Sequence, residues 1–191
     1  MKTSIFAIIF LLPLATTPAL LAQHDTFNVN PDASQVGFSL AEGSHHVLGT
    51  FHVQGGSISY DRDKKMSGSL VVAAGSGNSG NSSRDKRMNS LILESDHFAE
   101  VAFAPSTYQG ELASTGDSTI QVAGVFTLHG AAHDLTVPMQ VHIEGTSLTA
   151  KGHFTIPYVQ WGLKDPSWGF FKVAKEVDID LTLGGQLVHV N

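Results

Sequence analysis

Ten histidines and no cysteine define the chemistry open to this chain of 191 residues. Imidazole is the commonest transition-metal ligand. His45, His46 and His52 lie close in sequence and His129 and His133 flank a turn, so a histidine-dependent metal site is one reading. Against it, HExxH is missing and most histidines fall at outward or loop positions. Asp178 and Asp180 share a strand face, as paired catalytic carboxylates would, but beside Glu176 they read as the solvated side of an acidic protein. There is no GxSxG, metal-hydrolase motif or phosphate-cradling glycine loop, so the sequence predicts a binding protein, not an enzyme. Arg84-Asp85 is the remaining charged feature: a cap and ion pair that fixes a helix, or a polar contact to a ligand head group.

These residues need a scaffold, and the plainest one is Ile120 to Glu144. Ile120, Val122, Gly124, Phe126 and Leu128 share one side of an extended backbone, and Leu135, Val137, Met139, Val141 and Ile143 repeat the pattern. The intervening positions are mostly polar. This predicts a β-hairpin turning near His129 to Ala132, with one dry and one wet face, and a ladder interrupted at Pro138, which lacks an N–H.

The remainder of the chain alternates in the same way. Phe27 and Val29 stop at Asn30-Pro31-Asp32, and Val36, Phe38 and Leu40 resume the face. Phe51 and Val53 precede a bulge at Gly55-Gly56, and Ile58 and Tyr60 lead into a turn at Asp61 to Lys64. Gly68, Leu70, Val72 and Ala74 share a face. A mobile Gly/Asn/Ser loop at 75–83 follows, and then a short helix capped by Ser83 with Met88, Leu91 and Ile92 on one side. Val101 and Phe103, then Leu148 to Tyr158, then Val177 to Leu183 supply further strands. The fold class is all-β: a single antiparallel eight-stranded β-barrel with a short helix.

Residues 1–22 have the layout of a signal peptide, with Lys2 before an apolar run and Ala22 at a small-residue end; the mature domain is 23–191. An uncleaved membrane anchor is the competing reading. Without residues 1–22, ten basic residues face seventeen acidic ones, a net charge of −7, and this surface repels nucleic acid. The lack of cysteine excludes disulfides and thiol chemistry.

An eight-stranded barrel is either filled by its own side chains or open enough for one ligand. Small residues at inward positions, Gly68, Ala74, Gly124, Ala150 and Gly152, are expected to leave room for an apolar chain, or else to permit close backbone contact in a filled core. The residues expected to line a cavity are Phe38, Leu40, Phe51, Leu70, Val72, Met88, Leu91, Phe103, Phe126, Leu128, Val137, Met139, Phe154 and Ile156. Trp161 and Phe170 belong to an aromatic, glycine-rich loop expected to form a lid or a plug.

The segments FNVNPDASQVGFSL, SSRDKRMNSLILESDHFAEVAFAPS, VAGVFTLHGAAHDLTVPMQV and FTIPYVQWGLKDPS, in that order, resemble the YceI-like family. The most specific passage is Arg84-Asp85 followed by Met88, Leu91, Phe98 and Val101-Ala102-Phe103. The resemblance implies a lipocalin-like barrel, exported to the periplasm or secreted, that binds a polyisoprenoid chain such as a quinone tail or polyprenyl lipid. The expected partners are therefore an isoprenoid lipid or quinone and, transiently, a membrane. No cofactor beyond the bound lipid is expected, and monomer and dimer are both open. The alternatives are a stress-protective or interaction module with a filled barrel, or the histidine-dependent metal binder.

Overall fold

A computed structural model of the chain describes residues 24–170 and 172–190; the expected signal peptide lies outside the described residues. The strands are β1 His24–Glu42, β2 His45–Phe51, β3 Val53–Asp61, β4 Met66–Ala73, β5 Glu100–Gly110, β6 Gly116–Leu128, β7 Ala131–Glu144, β8 Ser147–Ile156 and β9 Val177–Val190, with helix α1 at Ser82–Arg87. From β3 to β9 each strand pairs antiparallel with the next, and β9 returns to β1, from His24↔Val190 to Ser39↔Asp178. On its other edge β1 carries β3 along its first half and β2 along its second. β2 and β3 thus share one place in the wall, and nine segments make a closed eight-stranded barrel. Closure of β9 onto β1 pairs the two ends of the β3–β9 run and leaves only short stretches of strand edge, in β2 and where β7 and β8 part.

Local sequence accounts for the irregular points. His129 and Gly130 have φ of 51° and 74° and join β6 to β7 through Leu128↔Ala131. A two-residue turn with both φ positive matches the twist of the strands it connects. Pro31 does not end β1, which runs on through a register shift between Asn30 and Gln35. Gly55 sits at the expected bulge, where the β3–β4 register shifts and φ is 138°. The expected interruption at Pro138 takes a different form. The β6–β7 register passes through Gln121↔Pro138 unbroken, and the pairing that ends beside Pro138 is that of β7 with β8, at Met139↔Gly152.

Two further expectations are corrected. The cap of α1 is Asn81, not Ser83: the Asn81 side chain accepts from the N–H groups of Ser83 and Arg84 at 3.1 and 3.0 Å. The inward glycines do not make room. A Cβ on Gly124 would run into the carbonyl of Ala104 and sit 2.8 Å from Pro105 Cα. One on Gly152 would sit 2.6 Å from Met139 Sδ, and one on Gly68 would strike Ser57 O. These glycines let neighbouring strands and side chains approach closely.

Candidate ligand-binding cavity

The inward side chains of the barrel do not meet across its axis. They enclose a cavity of about 620 Å³, a volume typical of small-molecule sites, which favours an open barrel over a filled one. The wall on β9 runs from Val177 to Leu183, and six steps at ~3.3 Å each give a length of ~20 Å. Phe38, Leu40, Phe51, Leu70, Val72, Met88, Phe103, Phe126, Leu128, Val137, Met139, Phe154 and Ile156 all face it; of the five small residues, Ala150 alone does. Sequence reasoning assigns no ligand role to Met66, Leu112, Leu163 or Val173, which also line it. The last two lie in an irregular loop, where no periodicity marks a facing direction.

The far end is floored by Phe27, Ile58, Tyr60 and Met66. Tyr60 meets Tyr108 edge-on at 6.4 Å, and the Tyr108 hydroxyl donates to Asp61 O at 3.4 Å. Burial raises both phenol pKa values, with Asp25 adding to the rise at Tyr60. Both phenols are therefore neutral, and the floor carries no charge.

Polar groups collect at the opposite end: Glu42, Ser79, Asn81, Ser83, Arg84 and Arg87. Arg84 donates from Nε to Ser79 Oγ at 2.8 Å and from Nη2 to Ser79 O at 2.9 Å, while Asp85 Oδ1 accepts from Ser79 N at 2.9 Å and from its hydroxyl. The pair fixes the 79–81 loop by gripping one serine from two sides, not by a direct ion pair. Only Arg84 borders the cavity, with Nη1 at 4.0 Å from Glu42 Oε2; Asp85 is outside its lining.

Three expected apolar residues lie elsewhere. After α1 the chain makes a π turn, Met88–Ile92, closed by Leu93 N–H donating to Met88 O at 2.9 Å. In this wider turn the residues four and five beyond Met88 share its face. Ile92 and Leu93 consequently line the cavity, and Leu91 points out, 44% exposed. Phe170 stands fully in solvent and its neighbour Trp168 is 70% exposed. Trp161 packs on the wall from beyond the cavity, with its ring centroid 5.8 Å from that of Phe126 and 4.1 Å from that of His133. The His133 stack has one sequence signal: His133 continues the inward alternation of Leu135 and Val137.

The loop after β8 is tied to the barrel mouth. Leu163 is buried, Gly43 N–H donates to Lys172 O at 3.0 Å, and Ala174 N–H donates to Ala41 O at 2.8 Å. The Tyr158 hydroxyl donates to Ala174 O at 2.6 Å, and burial, with Asp165 nearby, pushes this phenol up to about 12. Pro166 and Val173 face the cavity, so the loop forms part of its rim.

The histidines have mainly structural partners. His142 faces Asp117, His153 faces Asp180 and His189 faces Asp25 across directly opposed strand positions, with Nδ1 to Oδ1 distances of 2.8, 2.8 and 2.6 Å. Asp178 accepts from Thr155 at 2.7 Å, so the two carboxylates of that face are held by separate cross-strand partners. No group of three His, Asp or Glu side chains able to hold a metal ion occurs among the described residues.

A family model for the YceI-like domain matches residues 27–184. This chain belongs to the YceI-like family. The barrel superposes on Burkholderia cenocepacia BcnA (20% identity, TM-score 0.67, covering 82% of this chain and 99% of that one). It also superposes on a polyisoprenoid-binding domain from Saccharophagus degradans implicated in plant cell wall breakdown (17%, 0.63, 84% and 97%). The Campylobacter jejuni YceI protein matches over 97% of this chain and 98% of its own, at 9% identity and TM-score 0.55. No curated protein sequence matches the chain. The YceI-like barrel is thus lipocalin-like in fold, and at these identities the structural neighbours establish the fold alone.

Proposed function

We propose that this YceI-like protein is an exported carrier that holds the isoprenoid chain of a quinone or polyprenyl lipid inside its barrel and acts by binding. The observation that carries the reading is the polarity of the cavity. Its walls and floor are aliphatic and aromatic for ~20 Å, and charged groups occur only at one end. Burial in such a tube contributes about 0.8 kcal/mol per CH₂, so an unbranched or isoprenoid tail needs no internal anchor, whereas a sugar or nucleotide would leave its polar groups unpaired there. At the rim Arg84 offers a guanidinium for a polar head. The polyisoprenoid-binding neighbour with the same fold supports the choice of chain chemistry. Cleavage after Ala22 and release to the periplasm or medium complete the proposal, on the strength of the apolar leader.

Native mass spectrometry of untagged protein from the exported fraction, followed by organic extraction, tests this reading. The expected result is a discrete added mass that extracts as a prenyl lipid. A bare polypeptide that stays bare when offered ubiquinone and undecaprenol would overturn it.

A further inference from the structure

A cavity loaded with a water-insoluble chain has to meet the surface that supplies it, and the rim is built differently from the rest of the protein. The exposed large apolar side chains include Leu48, Leu91, Trp168 and Phe170, all on segments that border the mouth; Val125 and Val188 are away from it. Leu48 edges the recess shared by Glu42 and Arg84, Leu91 projects from the π turn after α1, and Trp168 and Phe170 stand out between Pro166 and Val173, both of which face the cavity. Solvent-facing Trp and Phe two positions apart on a loop are costly in water and suited to a bilayer interface.

Basic residues gather on part of the same end. The rim segments 40–48, 79–93 and 157–175 hold six basic and three acidic residues; the rest of 23–191 holds four basic and fourteen acidic. The adjoining 94–100 turn and Glu176 add Glu94, Asp96, Glu100 and Glu176, so the basic excess belongs to these segments, above all the 157–175 loop with Lys164, Lys172 and Lys175 against Asp165, and not to the whole end. Two of the rim acids are occupied, Asp85 by Ser79 and Asp165 by Ser167 and Lys175, whereas Lys86, Lys164 and Lys172 are exposed.

We infer that the mouth end of the barrel docks on an anionic lipid bilayer, with Trp168, Phe170 and Leu91 entering the interface and Lys86, Lys164 and Lys172 facing the phosphates. The basic 157–175 loop and its exposed aromatic side chains orient the molecule mouth-down. Among the described residues no helix is long and apolar enough to cross a membrane, and this contact is peripheral and reversible. It rests on the carrier reading for its purpose but not for its detection.

The test is sedimentation of the full chain with vesicles of phosphatidylcholine alone or with 30% phosphatidylglycerol, at low and high salt. The variants are K86Q/K164Q/K172Q and W168S/F170S, neither of which alters a cavity-lining residue. Each basic residue near an anionic surface is worth about fivefold in partition, so the triple variant should lose about a hundredfold on anionic vesicles, with high salt doing the same to the parent. W168S/F170S should weaken binding at every salt concentration. Uptake of a soluble prenyl probe in the absence of vesicles should be unchanged in both variants, which separates this inference from the cargo. Salt-insensitive binding to phosphatidylcholine alone, equal in parent and variants, would place membrane contact on another segment and overturn the inference. Absence of binding to either vesicle while the probe is still taken up would overturn it too and point to a protein partner at the rim.

Discussion

The imidazole of His133 lies flat on the indole of Trp161, with ring centroids 4.1 Å apart and planes 4° from parallel. The stack sits where the wall has come apart. β7 and β8 are paired only from Met139↔Gly152 to Glu144↔Ser147, so Ala131 to Pro138 and His153 to Ile156 have no rungs between them. Trp161, just beyond β8, reaches back to β7 and covers the parting, with Phe126 and Phe154 edge-on at 6.5 Å beneath it. Trp161→Ala should cost about 2–3 kcal/mol, less than a fully buried Trp because the ring is partly exposed. It should also speed release of a bound apolar probe several-fold. Stopped-flow release together with thermal unfolding checks both, and unchanged release would show that the parting is not a route.

The cavity can be filled from Ala150 but not from Gly124. Ala150 faces the space inside, so Ala150→Leu should block uptake of a prenyl probe while circular dichroism stays native, at an overpacking cost of about 1–2 kcal/mol. Gly124→Leu should instead unfold or severely destabilise the barrel, because its Cβ collides with the backbone of Ala104 and Pro105. Equal behaviour of the two variants would contradict the assignment.

Arg84 and Asp85 both act through Ser79, so their removal should be strongly non-additive. Arg84→Ala and Asp85→Ala are each expected to cost about 1–2 kcal/mol, and the double variant little more than either. Amide exchange at 79–87 should quicken in all three. Simple additivity would mean that the serine is not the shared partner.

Leu93→Ala should cost about 1–2 kcal/mol and lower probe affinity, while Leu91→Ala stays within about 0.5 kcal/mol, because the π turn puts the former in the cavity and the latter in solvent. Denaturant titration separates the two.

Alkaline pH should weaken the fold. Tyr158 titrates at about 12 in the folded protein against an ordinary value of 10, so the unfolded chain loses its proton first. The stabilisation from the neutral phenol is complete below pH 10 and fades between pH 10 and about 12; Tyr60 and Tyr108 are raised as well and act in the same direction. The unfolding midpoint should fall across this window, and Tyr158→Phe should flatten the fall.

Much of the barrel is legible in the sequence, for a reason particular to sheets. Side chains alternate with period two, so the run from Ile120 to Ile143 is enough to tell which residues face inward. What alternation cannot disclose is what stands opposite. Gly124 and Gly152 fall on the correct face, yet a missing side chain predicts open space where backbone or a thioether already lies. Leu91 points to solvent and Leu93, which the sequence pattern does not single out, lines the cavity, because a single i+5 turn follows no helical repeat that a sequence scan would recognise. Trp161 is legible as an aromatic loop residue, but its partner His133 is 28 positions upstream, and nothing local ties the two.

The first strand is also the one that seals the barrel, and this orders events in time. Its rungs to β9 join residues more than 130 positions apart, such as Ser39↔Asp178 and Val29↔Gly185. A nascent chain therefore carries β1 with one bare edge until β9 has been made. Closure waits for β9, and a ribosome that stops before it leaves an unclosed sheet, prone to pair with its neighbours and readily degraded.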